Sequence, residues 1–284
     1  MSEAARDHFG DGAAAEAFLR ALGRSSGERL PLAEGALALA ALAGPAVDVA
    51  RYREHLALLA RAVDEAAAAA HDLKGSIAAL NRVLYGRFGY SGDTTTYDDP
   101  QNANLMDVID RRKGLPVALG IIAIHAARAQ GWDMAGLSFP GHFLVRIEHA
   151  GERAILDPFN GGRTRNTAEL RELLSAIAGR GTALAPQHYA PVSDREVLER
   201  LQNNLKLRHL ENGEPAKALD VVERTLLLAP NSAPLLREAG LLQLELGNLG
   251  AAVTALERFL EVATEGAERR RVALLLERVR LRIN

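Results

Sequence analysis

Through about residue 90 the apolar positions recur at helical spacing, in AEAFLRALG, ALALAALAG, YREHLALLARAVDEAAAAA and LKGSIAALNRVLYGRFGY. Glycines, Pro31 and Pro45 punctuate this region into short helices, and the AAAAA run at 66–70 extends one of them through its high helix propensity. The pattern then stops. SGDTTTYDDPQNAN, residues 91–104, is polar and broken by Gly92 and Pro100, which predicts a loop across the surface. Next, Leu115, Val117, Leu119, Ile121, Ile122 and Ile124 are too continuous for a surface helix, so 115–130 reads as a helix buried nearly all round. Pro116 fits its first turn, where a missing N–H costs nothing, Gly131 fits its stop, and His125 falls inside it as a core residue. Period-two alternation then predicts strands at 134–138, 142–148 and 153–157, the last two joined as a hairpin through EHAGER. NGGRTRN follows, with the basic pair Arg163 and Arg165, and Thr167 is placed to cap a helix in AELRELLSAIAGRG.

From Ser193 the pattern is helical to the end. SDRE has the form of a capping box, Ser193 with Glu196 three residues on. Behind it, LENGEPAKALDVVERTLLLAPNS and LELGNLGAAVTALERFLEVATEG align with Gly213 on Gly247, Ala218 on Ala252, Glu223 on Glu257 and Ala229 on Ala263, a period of 34 residues. A helix-turn-helix unit of that length, with small residues between its helices and Pro230 at its end, is the tetratricopeptide pattern. Two units cannot bury all their faces alone, and the segment 266–282 supplies a capping helix. Three regions result: helices over 1–90 that form part of the first domain, a core over 91–192, and repeats over 193–284.

Charge changes this picture little. The 34 basic and 36 acidic residues nearly cancel, so no global field draws the chain to nucleic acid or an anionic membrane. The N-terminus lacks a secretory pattern and the most apolar run, 35–44, is far short of a bilayer span, so a cytoplasmic location is expected. Asp98 and Asp99 lack the spacing of a calcium loop and read as turn and capping residues; no metal or cofactor is called for.

Candidate chemistry gathers on FPGHFLVRI. His142 stands at or just before a strand, on the face shared with Leu144 and Arg146. Asp157 ends the next strand, and a register pairing Leu144 with Asp157 brings it to the same face, within reach of His142; a one-residue slip turns it away. A carboxylate beside an imidazole fixes the tautomer and stabilises the cation, as two members of a nucleophile–histidine–acid triad require. A packed histidine with no chemical task fits the same position.

GLPVALGIIAIHAARAQG, FPGHFLVRI, ILDPFNGG and NNLKLRHLENGEPAKAL, in that order, resemble the bacterial SirB-type family, a transglutaminase-like domain followed by tetratricopeptide repeats, over roughly residues 50–284. The resemblance implies an α+β, helix-dominated chain with a papain-like core, in which a buried helix packs on a small antiparallel sheet. In transglutaminase-like enzymes a Gly-x-Cys motif opens that helix, a histidine starts one strand and an Asp-Pro ends the next. His142 and Asp157 match, and Pro116 occupies the nucleophile's position. The sequence has no cysteine at all, and Leu115, Val117 and Ala118 offer no hydroxyl. The expectation is therefore a non-catalytic domain joined to a module that takes a protein or peptide in its repeat groove. The alternative is an amide hydrolase or acyl-transfer enzyme in which the His142–Asp157 dyad activates water or a substrate group. Nucleic-acid binding would rest only on Arg163, Arg165 and the arginines at 269–271.

Overall fold

The computed structural model describes residues 12–27, 29–44, 48–179 and 181–283; Pro45 and the N-terminal decapeptide lie outside them. Four helices lead: α1 (Gly12–Arg24), α2 (Leu32–Ala41), α3 (Ala50–Ala67) and α4 (Leu73–Asn81). The expected continuation of α4 widens into a π-helical turn at Arg82–Arg87, where the Phe88 N–H reaches back to the Val83 carbonyl. A short α5 (Leu105–Arg111) precedes α6 (Pro116–Arg128).

Helix α6 is the axis of the core. From Pro116 to Ala127 only His125 is not buried, which is why its apolar residues show no clean stripe. Pro116 is its first residue, and the chain leaves through Gly131 in the left-handed region. His125, half-buried, bonds the Leu56 carbonyl at 3.3 Å, so it is satisfied by a partner rather than sealed in the core.

After a short parallel pair, β1 (Ser91–Gly92) and β2 (Lys113–Gly114), strands β3 (Asp133–Gly136), β4 (Val145–His149), β5 (Glu152–Asp157) and β6 (Arg163–Arg165) form one antiparallel meander. One face, with Phe143, Val145, Ile147 and Leu156, joins the α6 core. The other carries Leu144 against Leu170 and Leu174 of α7 (Thr167–Ala178). Phe143 fits under α6 because Gly120 and Gly136 leave room: a Cβ on either would fall within 2.4 and 2.7 Å of its ring atoms.

Three expectations need correction. The strand containing FLVRI begins at Val145 rather than 142, because Arg200 draws off the carbonyls of Phe139 and His142, which therefore take no part in a ladder. The cap of α7 is Asn166, not Thr167: its side chain accepts the Ala168 and Glu169 N–H groups while Glu169 accepts the Asn166 N–H. The 91–104 segment is not merely a surface loop. Asp93 and Asn102 are buried, Asp93 accepting from Thr95, Thr96 and Arg111, and Ser91–Gly92 pairs in parallel with Lys113–Gly114. Asp99 does cap a turn, accepting the Gln101 N–H at 2.9 Å.

The rest is helical: α8 (Asp194–Glu211), α9 (Pro215–Leu228), α10 (Ala233–Glu245), α11 (Leu249–Val262) and α12 (Ala267–Ile283). Ser193 and Glu196 form the capping box at the start of α8. Gly213 and Gly247, 34 residues apart, turn the chain between the helices of each pair with φ of +71° and +78°, a conformation that costs glycine nothing. Ala218 and Ala252 are fully buried, and Val272 and Leu276 of α12 close the array against Leu256 and Phe259. The array also leans on the N-terminal helices, since α1 packs on α9, where the Gly23 backbone nearly touches the Leu227 carbonyl. Among the described residues no helix is long and apolar enough to cross a membrane.

Candidate functional site

The β4–β5 register, Val145 opposite Leu156 and Arg146 opposite Ile155, carried one residue past the start of β4, puts Leu144 level with Asp157. His142 and Asp157 thus lie on one face, and His142 Nε2 stands 3.0 Å from Asp157 Oδ1. Asp157 is fully buried and the His142 side chain is 14% exposed, so the pair has one wet end. An ionised carboxylate only accepts, so Nε2 carries the shared hydrogen, and Nδ1 is the ring nitrogen that Asp157 leaves unengaged.

Asp157 has further partners. Arg165 donates to Oδ2 through Nε at 3.0 Å and Nη2 at 2.5 Å, and Asn160 through its side-chain amide at 2.8 Å. Burial by itself pushes the Asp157 carboxyl up. The hydrogen bond and charge of His142, with the bonds from Arg165 and Asn160, outweigh burial and hold the group well below the usual carboxylate range. Asp157 is therefore an anion across the ordinary pH range, and it fixes the imidazole's orientation.

Pro116 is buried at the N-terminus of α6, next to Leu115, whose side chain makes no cap bond. The turn at Pro158–Asn160 packs against α6 and places the Phe159 ring edge-on to His142, 6.3 Å between centroids, and edge-on to Tyr97 at 5.8 Å. That ring lies on Gly92, where a Cβ would come within 2.6 Å of it. The 91–104 segment thus packs against the Phe159 side of His142. Among the described residues no group of three or more His, Asp or Glu side chains is arranged to hold a metal ion.

Several residues of this site escaped the sequence reading. Arg165 was grouped with Arg163 as a basic pair, yet the structure commits Arg165 to Asp157 and Arg163 to Glu169. The available signal was the Gly161–Gly162 pair: a turn there makes β5 and β6 a hairpin and brings Arg165 onto the Asp157 face. Gly162 has φ of +69°, and a Cβ on it would come within 2.1 Å of Asn81 Oδ1 and 2.6 Å of the Tyr85 ring. Asn81 in turn donates to the Gly162 carbonyl at 2.9 Å. Burial, and the Asp157 charge after it, raise the Tyr85 phenol. From α8, Arg200 donates to the His142 carbonyl at 2.8 Å with its guanidinium 5.4 Å from the Phe143 ring centre, and Arg208 pairs with Asp98 while lying over Tyr97. No local pattern announces these long-range contacts.

A second concavity, of about 800 Å³, lies between α1, α9, α10 and α11. Its wall includes Glu16, Arg20, Asp220, Arg224, Gln243 and Arg258, a mixture of both charges. It runs as a groove along these repeat helices and is narrowed by α1.

Comparison with known proteins agrees with this architecture. Residues 50–203 match the model of a transglutaminase-like superfamily family, and residues 205–277 a tetratricopeptide repeat model. A UPF0162 protein of Xylella fastidiosa (strain Temecula1) is 40% identical over 190 residues, 66% of this chain and 67% of its own length. A UPF0162 protein of Vibrio cholerae is 31% identical over 235 residues, 82% of this chain and 87% of its own. The F-box only protein 21 of Mus musculus is 28% identical over 135 residues, 45% of this chain and 21% of that protein. Among solved structures, menin aligns with 89% of this chain and 70% of its own at 11% identity and a TM-score of 0.42, too loose a likeness to carry an argument.

Proposed function

Because the chain belongs to the transglutaminase-like superfamily, in its bacterial SirB-type branch with tetratricopeptide repeats, we propose that it works as a non-catalytic member, a binding protein rather than an acyl-transfer enzyme. One observation carries the reading: the residue at the head of the buried helix, where a thiol would gain from the helix dipole, is Pro116, in a chain without cysteine. Covalent catalysis needs an activated nucleophile there, and a pyrrolidine ring supplies none. The repeat groove is the surface that takes a protein or peptide, since stacked helix pairs present an extended concave face suited to a peptide segment.

The test uses the full chain as bait in lysate, beside His142→Ala and Thr254→Arg. Thr254 is exposed on the groove wall, so an arginine there fills the groove without disturbing the core. Partners kept by His142→Ala and lost with Thr254→Arg fit the binding reading. Partners indifferent to Thr254→Arg sink the assignment of the groove.

The retained His142–Asp157 contact favours a second reading, in which His142 Nδ1 takes a proton from water during amide hydrolysis. Hydrolysis of a panel of amide and thioester substrates, present with the full chain and abolished by His142→Ala, would establish it. P116C separates relic from living geometry: a thiol alkylated faster at neutral pH than in the P116C/H142A double variant means His142 still serves that position.

A further inference from the structure

On the α7 side of the sheet, the face that carries His142 and Asp157, a pocket of about 480 Å³ lies between β4, β5, β6, the start of α7 and the 186–191 segment. Its volume is in the range of small-molecule sites. Arg146, Arg153 and Arg165 line it, with Tyr189 at the rim and Ile155 and Leu170 as apolar walls, and no aspartate or glutamate is among its lining residues. The repeat groove, by contrast, mixes both signs.

The donors are not used up. Arg153 is exposed and its side chain, among the described residues, has no ion pair or hydrogen bond. Arg146 gives one Nη2 contact to Glu148 at 2.7 Å, leaving its other N–H groups. Arg165 spends Nε and Nη2 on Asp157, leaving Nη1. A guanidinium has five N–H donors, no acceptor and a fixed positive charge, so three around one apolar hollow complement an oxyanion better than any neutral group. Thr167, at the start of α7, adds a hydroxyl to the same wall.

We propose that this pocket binds a small organic oxyanion, a carboxylate or phosphate carried on an apolar body, with Arg146, Arg153 and Arg165 holding the charged end and Ile155 and Leu170 the apolar end. The site is distinct from the repeat groove and does not depend on whether His142 is catalytic. Arg165 belongs to both the pocket and the Asp157 carboxylate, so the occupant sits one guanidinium away from the His142–Asp157 pair.

Phenyl phosphate, benzoate and benzyl alcohol, titrated calorimetrically into the full chain, test it. Saturable binding of either anion, with none of the alcohol, is the expected result; the tighter anion identifies which charged group the site prefers. Arg153→Met, a change at an exposed and unpaired side chain, should weaken the anion roughly tenfold or more, while Arg258→Met in the repeat groove leaves it unchanged. Backbone amide shifts confined to Arg153 and Thr164–Thr167 would place the ligand independently of any variant. Absence of saturable heat with both anions up to about 10 mM overturns the proposal. So does equal affinity in Arg153→Met.

Discussion

Three residues converge on the Asp157 carboxylate, and what each would lose defines its role. Asp157→Ala leaves His142 and Arg165, both about 14% exposed, without their anion, a loss of the kind that costs about 3–5 kcal/mol when one partner of a buried pair is removed. His142→Ala removes one donor of several and should cost about 1–2 kcal/mol. Urea unfolding of the two variants checks the order; an Asp157→Ala protein as stable as the parent would mean the carboxylate is not the hub. Because the folded state holds Asp157 below the usual carboxylate range, its contribution is complete above that range and is lost progressively as pH falls below it, through the lower folded value.

His55 on α3 has the opposite chemistry and an earlier window. Its Nε2 lies 2.8 Å from the Tyr90 hydroxyl and 3.0 Å from Arg112 Nη1. Arginine can only donate, so Nε2 must accept, and burial with the Arg112 charge brings the imidazole down to about 4. Between about pH 6.5 and 4 the unfolded chain binds a proton that the folded chain refuses. Stability therefore declines as pH falls through that interval and is fully retained above it. The loss of urea midpoint from pH 7 to pH 5 should be smaller in His55→Gln; equal losses would place the proton elsewhere.

At the scale of elements, alternation was the informative signal. The alternation in FLVRI and AILD marks two strands and leaves two registers open, one with Asp157 on the His142 face and one slipped by a residue; the structure takes the first, Val145 opposite Leu156. Pro116 at the first turn of α6 and the Ser193–Glu196 box were legible because caps are local chemistry. Strand β6 was not: Arg163, Thr164 and Arg165 have no apolar residue to betray a sheet edge, and the charge partners of the two arginines lie outside the strand, Asp157 eight residues back from Arg165 and Glu169 six residues ahead of Arg163. Gly120 is a related case: nothing in its local sequence marks it as the seat of Phe143. Gly120→Ala raises helix propensity by about 1 kcal/mol, yet its Cβ would stand 2.4 Å from the Phe143 ring, and overpacking of that kind costs about 1–3 kcal/mol. A net loss is expected in thermal unfolding. A gain in midpoint would show that the sheet slides off α6 without penalty.

For the whole molecule, the telling element is α8. It opens the repeats by sequence pattern, yet Val197, Leu198, Leu201 and Leu205 belong to the same buried cluster as α6. Asp194, almost fully buried, accepts from Arg128 of α6 at 2.7 Å and from the Leu30 N–H at 2.8 Å, and Arg195 donates to the carbonyls of Leu22, Ser25 and Leu228. Helix α8 is therefore a wall of the first core as much as the first helix of the array. Burial of four such aliphatic side chains is worth about 6–12 kcal/mol, the size of a whole domain's stability. A chain ended at residue 192 should accordingly fail to fold, seen as lost helicity and aggregation. The intact protein should unfold once: fluorescence of Trp132, the only tryptophan and a residue of the first core, should change at the same urea concentration as far-UV ellipticity, to which the repeat helices contribute heavily. Helicity lost in a separate step while Trp132 stays native would mean that the repeats come away from α8, and that the groove and the His142 face answer to their ligands independently.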